Sequence, residues 1–331
     1  MDLQASWTGS GQSRQNTAHC TEETLAQARA IIEIDSDFGT GIHGACLIGS
    51  GQVRQAVPLC DPCHFGCRGH GAIYVLYING RKPVFMSHTD VVLILGSGPN
   101  APLSVDWPKD WVDRLVVINN AWRIRPDWDD LVFPEDFPAH RRPETVLPHQ
   151  RLIEADAFVP AQNAFGGFVY AGGTMAFTAA YWALHALRPK VLAFFGCDMV
   201  YPEAGPTHFY GSGTADPLRD DVTLRDLKAK SARLGLLAAL NGCACVNLSE
   251  EPSQLVFDRA RPEKLRALAR GDLVTQDVSH LLDEEKALNC FVPSGRYWEV
   301  AAEFDAVALE RLDAGWRAAW QRRMKAVTAA A

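Results

Sequence analysis

The sequence predicts an α/β protein with a Rossmann-like, mostly parallel sheet, helices on both faces and a helical C-terminal extension. Three observations predict this. Val91–Leu95 and Val191–Phe195 are unbroken five-residue apolar runs, each ending at a glycine, as strands buried on both faces do. Apolar strand-like runs alternate with helical stretches from residue 86 onward, the pattern of a parallel sheet covered on both sides. Met175 to Leu187 is rich in alanine and large apolar residues, which reads as a buried helix.

Residues 1–85 read differently from the rest. Thr21 to Ile34 has one helical pattern, with Thr21 as N-cap and Glu22 and Glu23 in the first turn. Ala72 to Ile78 reads as one strand. Otherwise glycines, cysteines and histidines are scattered without a sustained period. We expect this segment to be poorly ordered, or the product of a start codon assigned too far upstream, with the folded chain beginning near Met86. A nucleotide-binding α/β domain is expected over 86–260, and the helical extension over 261–331.

The elements follow in order. Strand 91–95 runs into Gly96-Ser97-Gly98-Pro99-Asn100. Leu115–Ile118 is a second buried strand, closed by Asn119 and Asn120, and Leu131–Phe133 a third. The proline-, arginine- and histidine-rich segment 134–150 reads as a loop, and Ala157–Pro160 as a short strand. Gly172-Gly173-Thr174 opens the helix before strand 191–195. Residues 201–221 form a polar loop, Leu224–Asn241 a helix, and Cys243–Leu248 the last strand. Phe291–Arg296 interrupts the helical C-terminal stretch.

Composition narrows the function. Hydrophobic residues make up 47% and charged residues 21% of the 331, which allows a sizeable core. The net charge of −7 argues against a nucleic-acid surface, which is usually basic. No run approaches the ~20 apolar residues of a membrane span, and Met1–Gln15 lacks the apolar core of a signal peptide. The expected location is the cytoplasm, where the nine cysteines stay reduced. Peripheral contact with a membrane remains open.

Five clusters can carry chemistry. Gly96 and Gly98 let backbone turn sharply and a ligand approach, at the carboxyl end of a strand where α/β sheets bind ligands. The loop is neither G-x-G-x-x-G nor a P-loop. Asn119 and Asn120 end an apolar strand, and each amide offers a donor and an acceptor. Gly172, Gly173 and Thr174 stand at a helix start, which favours an anion, although Thr174 also suits a plain cap. Asp198, Tyr201, His208 and Tyr210 bring a carboxylate, two phenols and an imidazole together after the central strand, and histidine is the usual general base near neutral pH. Cys60, Cys63, His64 and Cys67, with His70 beyond, have one zinc-knuckle spacing but no second knuckle, so incidental composition is the preferred reading and no metal is expected.

Residues 91–257 resemble the bacterial sialyltransferases that use CMP-sialic acid, and related sialyltransferase-like proteins. The resemblance rests on the (N/S)-G-P opening at Ser97-Gly98-Pro99, a strand ending at Asn120 with Asn119 as alternate, and the turn Gly172-Gly173-Thr174. It extends to G-x-D-x-x-Y at Gly196-Cys197-Asp198-Met199-Val200-Tyr201 and N-x-S at Asn247-Leu248-Ser249. It implies a glycosyltransferase moving a sugar, such as a CMP-linked acidic sugar, from a nucleotide donor to a glycan or glycoconjugate acceptor. Residues 96–100, 119–120 and 172–174 would hold the nucleotide, Tyr201 and Tyr210 the leaving phosphate, and His208 the acceptor proton. No cofactor is required. The sequence departs from the family at the base: the second histidine of H-x-x-G-H is Ser212, and only His208 remains. The same (N/S)-G-P opening occurs in 6-hydroxymethylpterin pyrophosphokinase-like proteins. That alternative implies ATP, with Mg²⁺ on Asp127, Asp129, Asp130, Glu135 and Asp136. A third reading is a non-catalytic nucleotide- or glycan-binding protein.

Overall fold

The computed structural model describes residues 89–331 except 202–204, 213–219, 272 and 331. Within residues 1–88 it gives only three short antiparallel ladders: Leu3–Ser6 with Gln15–Ala18, Ile31–Glu33 with Cys46–Ile48, and Tyr74–Leu76 with Val84–Met86. The expected helix over 21–34 falls mostly outside the described residues, and Ile31–Glu33 is a strand. The Cys60–His70 cluster also lies outside them. Residues 1–88 and 89–331 are separate compact units.

The second unit is built on a seven-stranded sheet. Its strands are β1 (Val91–Leu95), β2 (Arg114–Ile118), β3 (Asp130–Val132), β4 (Arg151–Ile153), β5 (Val191–Phe195), β6 (Ala244–Asn247) and β7 (Asp258–Arg259). Their order is β4-β3-β2-β1-β5-β6-β7, and every pair is parallel. The chain steps outward from β1 to β4, then returns to the other side of β1 as β5. The topological switch point therefore lies between β1 and β5, and open α/β sheets bind ligands outside the carboxyl ends at such a point.

Both central strands are buried along their whole length, which their unbroken apolar runs require. Alternation divides their side chains between two cores. Val92, Ile94, Leu192 and Phe194 face a core built with α1 (Ala155–Asn163), α2 (Phe168–Ala171), α3 (Met175–Ala186), α4 (Leu227–Leu240), α6 (Ser279–Leu288) and α7 (Ala306–Ala330). Val91, Leu93, Leu95, Val191, Ala193 and Phe195 face the other core. There the cover is lighter: 3₁₀ turns at Ala101–Ser104, Lys109–Trp111 and Asn119–Arg123, the short α5 (Leu265–Leu268), and tryptophans 107, 111, 122 and 128.

The expected strand at 157–160 is instead the middle of α1, and the true edge strand is Arg151–Ile153. Phe158 and Ala161 are the buried face of that helix, and Pro160 sits inside it. Among the described residues no helix is long and apolar enough to cross a membrane.

Candidate active site

The carboxyl ends of β1 and β5 meet in direct backbone contact. Gly96 N–H donates to Phe195 O and Gly98 N–H to Gly196 O, both at 2.8 Å. A Cβ on Gly96 would overlap the Gly196 carbonyl oxygen and come within 2.7 Å of Cys197 Sγ. These glycines are thus required by the approach of two strands, and their N–H groups are spent on β5. Gly96 and Gly98 therefore offer no free N–H group to a ligand. Burial pushes the Cys197 thiol pKa well up, which keeps it protonated and inert.

Asp198 lies just past this junction and links three strand ends. Its Oδ2 accepts from Asn100 Nδ2 and its Oδ1 from Asn247 Nδ2, each at 3.2 Å. Asn100 Nδ2 also donates to Ser249 Oγ at 2.9 Å. Asn247 Nδ2 donates to Ser253 Oγ at 3.0 Å, and Gln254 N–H to the Asp198 carbonyl at 2.9 Å. Asp198 is therefore a hub that fixes Asn100 and the turn after β6.

Backbone strain collects at the same edge. Asn119 (φ 51°) and Met199 (φ 53°) are non-glycine residues in the left-handed region, at the ends of β2 and β5. Ser97 Oγ donates to Ile118 O at 3.3 Å, joining the β1 loop to β2. Asn120 is 3% exposed. The Oδ1 atoms of Asn100, Asn119 and Asn120 are all buried without a protein hydrogen-bond partner. Buried polar atoms are normally paired, so three orphaned acceptors at adjacent strand ends make this end of the sheet the candidate site.

His208 is brought to this edge by its loop. Phe209 N–H donates to Ser97 O at 3.0 Å, which docks the loop on the β1 turn. His208 and Gly211 exchange backbone hydrogen bonds, so the segment is a tight hairpin. Thr207 Oγ1 lies 2.9 Å from His208 Nδ1. The Tyr210 ring stacks on the imidazole at 4.9 Å, and Tyr201 packs at 6.2 Å. Ser212, at the position of the missing second histidine, is exposed and donates to Gly205 O.

Gly172–Thr174 does not form an open anion cradle. Thr174 accepts from Phe177 N–H and caps α3. A Cβ on Gly173 would overlap Thr223 Oγ1 and lie 2.9 Å from Tyr297 Oη, so protein groups occupy that space. Tyr297 in turn donates to Asp221 Oδ2 at 2.7 Å.

The acids of the alternative metal segment are largely engaged. Asp127 pairs with Arg125, Asp129 with Lys109, and the fully buried Asp130 with Arg114 and Arg151. Among the described residues no group of three His, Cys, Asp or Glu is placed to hold a metal ion. Reasoning from sequence did not single out Ser253, Thr207 or the hub role of Asn247 and Ser249. The signal for the last two was available: polar residues close β6 just as Asn119 and Asn120 close β2.

Comparison with family models, with curated proteins and with solved structures found no match to this chain.

Proposed function

We propose that the crevice at the carboxyl ends of β1, β2 and β5 binds a nucleotide-activated sugar and transfers the sugar to a hydroxyl of a glycan or glycoconjugate. A CMP-linked acidic sugar is the favoured donor, and the cytoplasm the favoured location. The observation that supports the reading is the docking of the His208 hairpin on the β1 turn through Phe209 N–H and Ser97 O, at the same end of the sheet as the orphaned asparagine acceptors. In this mechanism His208 takes the proton of the acceptor hydroxyl as its oxygen attacks the anomeric carbon. The bond from that carbon to the nucleotide phosphate breaks, and the nucleotide leaves with the electron pair. Tyr201 and Tyr210 donate hydrogen bonds to the departing phosphate.

The test has two parts. A thermal-shift screen against CMP, CDP, UDP, GDP and ATP is expected to give one clear stabiliser. A nucleotide at a hundred times its Kd adds about 2.7 kcal/mol, or about 5–10 °C for a domain of this size. A transfer assay with that nucleotide's sugar conjugates then follows. His208→Ala should lower turnover by about 10²–10⁴-fold while the nucleotide shift persists. No shift with any nucleotide, or unchanged turnover in the variant, would overturn the proposal.

A further inference from the structure

We infer that Asp198 is a positioning residue that locks the Asn100 amide in one orientation, so that the crevice engages its ligand through an N–H or O–H donor. This rests on the nucleotide-binding reading above.

The polarity of the cluster can be traced from an unambiguous starting point. Ser249 N–H, which can only donate, bonds Asn247 Oδ1 at 2.9 Å. The Asn247 amide is thereby fixed with Nδ2 toward Asp198 Oδ1. An ionised carboxylate can only accept, so its other oxygen, Oδ2, requires the Nδ2 of Asn100. The flipped Asn100 amide would set two acceptors against each other at 3.2 Å. Asn100 Oδ1 is consequently turned away from Asp198 and left without a protein partner. Asparagine before a helical turn ordinarily spends this oxygen on a backbone N–H of the turn. Here Asn100 precedes the 3₁₀ turn Ala101–Ser104 and makes no such bond.

The oxygen has a second distinguishing feature. A Cβ at position 98 would lie 3.1 Å from it and 2.9 Å from the Gly196 carbonyl, so any side chain there would press on both acceptors. Asn100 itself is only half-buried. Asn119 Oδ1 and Asn120 Oδ1 add acceptors of the same sign nearby.

The substitution Asp198→Asn reverses the logic while keeping the shape. Asn247 still donates to the new carbonyl, so the new amino group faces Asn100 and drives its amide to flip. The Asn100 amino group then faces the ligand.

Titration calorimetry with nucleotides that differ in where they carry donors reads this directly: CMP against UMP and AMP against IMP, each pair exchanging an exocyclic amino donor for a ring N–H donor, and each ribonucleotide against its 2′- and 3′-deoxy forms, which lose one hydroxyl donor. The wild type is expected to lose about tenfold or more in Kd when one particular donor is removed. In Asp198→Asn that dependence should vanish or invert. In His208→Ala it should remain. If Asp198→Asn does not melt cooperatively, Ser249→Ala, which removes the other partner of Asn100 Nδ2, should weaken the same donor dependence. A wild type indifferent to every donor, or a variant with an unchanged dependence, overturns the role of Asp198. A wild type that binds no nucleotide overturns the nucleotide reading itself, and the inference with it.

Discussion

The C-terminal helices α6 and α7 are tied to α4 by a buried ion pair, and removing one member should cost far more than removing both. Arg233 on α4 is 1% exposed and Glu285 on α6 is 5% exposed. They meet in a two-pronged contact, Nε to Oε1 and Nη2 to Oε2, both 2.7 Å. Trp316 on α7 donates to the same carboxylate at 3.0 Å, and Arg233 also donates to Tyr181 Oη on α3 and to Phe165 O. Burial works against the Arg233 charge, but Glu285 and Tyr181 more than offset it and raise its pKa. Glu285→Leu strands a guanidinium with no counter-charge, at a cost of about 3–5 kcal/mol. For a unit of this size that is a fall in Tm of about 6–20 °C. Arg233→Met with Glu285→Leu removes both charges and should recover most of the loss, because a well-packed apolar pair is often as stable as a buried ionic one. Urea unfolding of the wild type, both single variants and the double variant completes the cycle. A single-variant cost below about 1 kcal/mol, or additive costs, would refute the reasoning.

Three other outcomes are expected. Gly96→Ala should destabilise by about 1–3 kcal/mol or more, because the new methyl meets backbone of β5; an unchanged urea midpoint would show that the strand ends yield freely. The Asp127 carboxylate is held below its ordinary pKa, chiefly by its hydrogen bond with Arg125. The stability it contributes is present above about pH 3.8 and lost as pH falls through its folded-state value, so Asp127→Asn should flatten the acid limb of stability below pH 4, and an identical acid limb would contradict the assignment. Cys197, Cys243 and Cys245 are buried, with burial raising each thiol pKa; peptide mapping after thiol labelling should find them unmodified until the protein unfolds, whereas labelling within minutes in the native state would show that the β5 and β6 region of the sheet opens.

What the sequence reveals divides along physical lines. β1 and β5 are legible because a strand buried on both faces must be apolar at every position, and no other short element demands that. β4 is not, because it is an edge strand whose Arg151 and Leu152 are exposed, leaving Ile153 alone to face the core. The apolar run Ala157–Pro160 nearby imitates a strand, with a proline that suggests an end. Yet α1 tolerates Pro160 in its interior, and packing of Phe158 and Ala161 decides the outcome over local propensity.

The site shows the same division. An apolar run that closes in polar amides signals a strand end, and Asn119 and Asn120 directly follow β2. The glycine loop is harder, because a missing Cβ serves a ligand and a neighbouring strand equally well. Only the sheet order shows that Gly96 and Gly98 face β5 and give their N–H groups to it. In the proposed binding mode, recognition would then fall to side-chain acceptors rather than backbone donors. The Asn100 acceptor depends on Asp198, whose partners Asn100 and Asn247 stand 98 and 49 residues away in the chain. No spacing rule connects them. The Asn247 amide is oriented locally, by the Ser249 backbone N–H two residues on, whereas the Asn100 amide is oriented by the acceptor-only carboxylate of Asp198 on a different strand end, so the polarity at Asn100 is a property of the assembled sheet rather than of the glycine motif beside it.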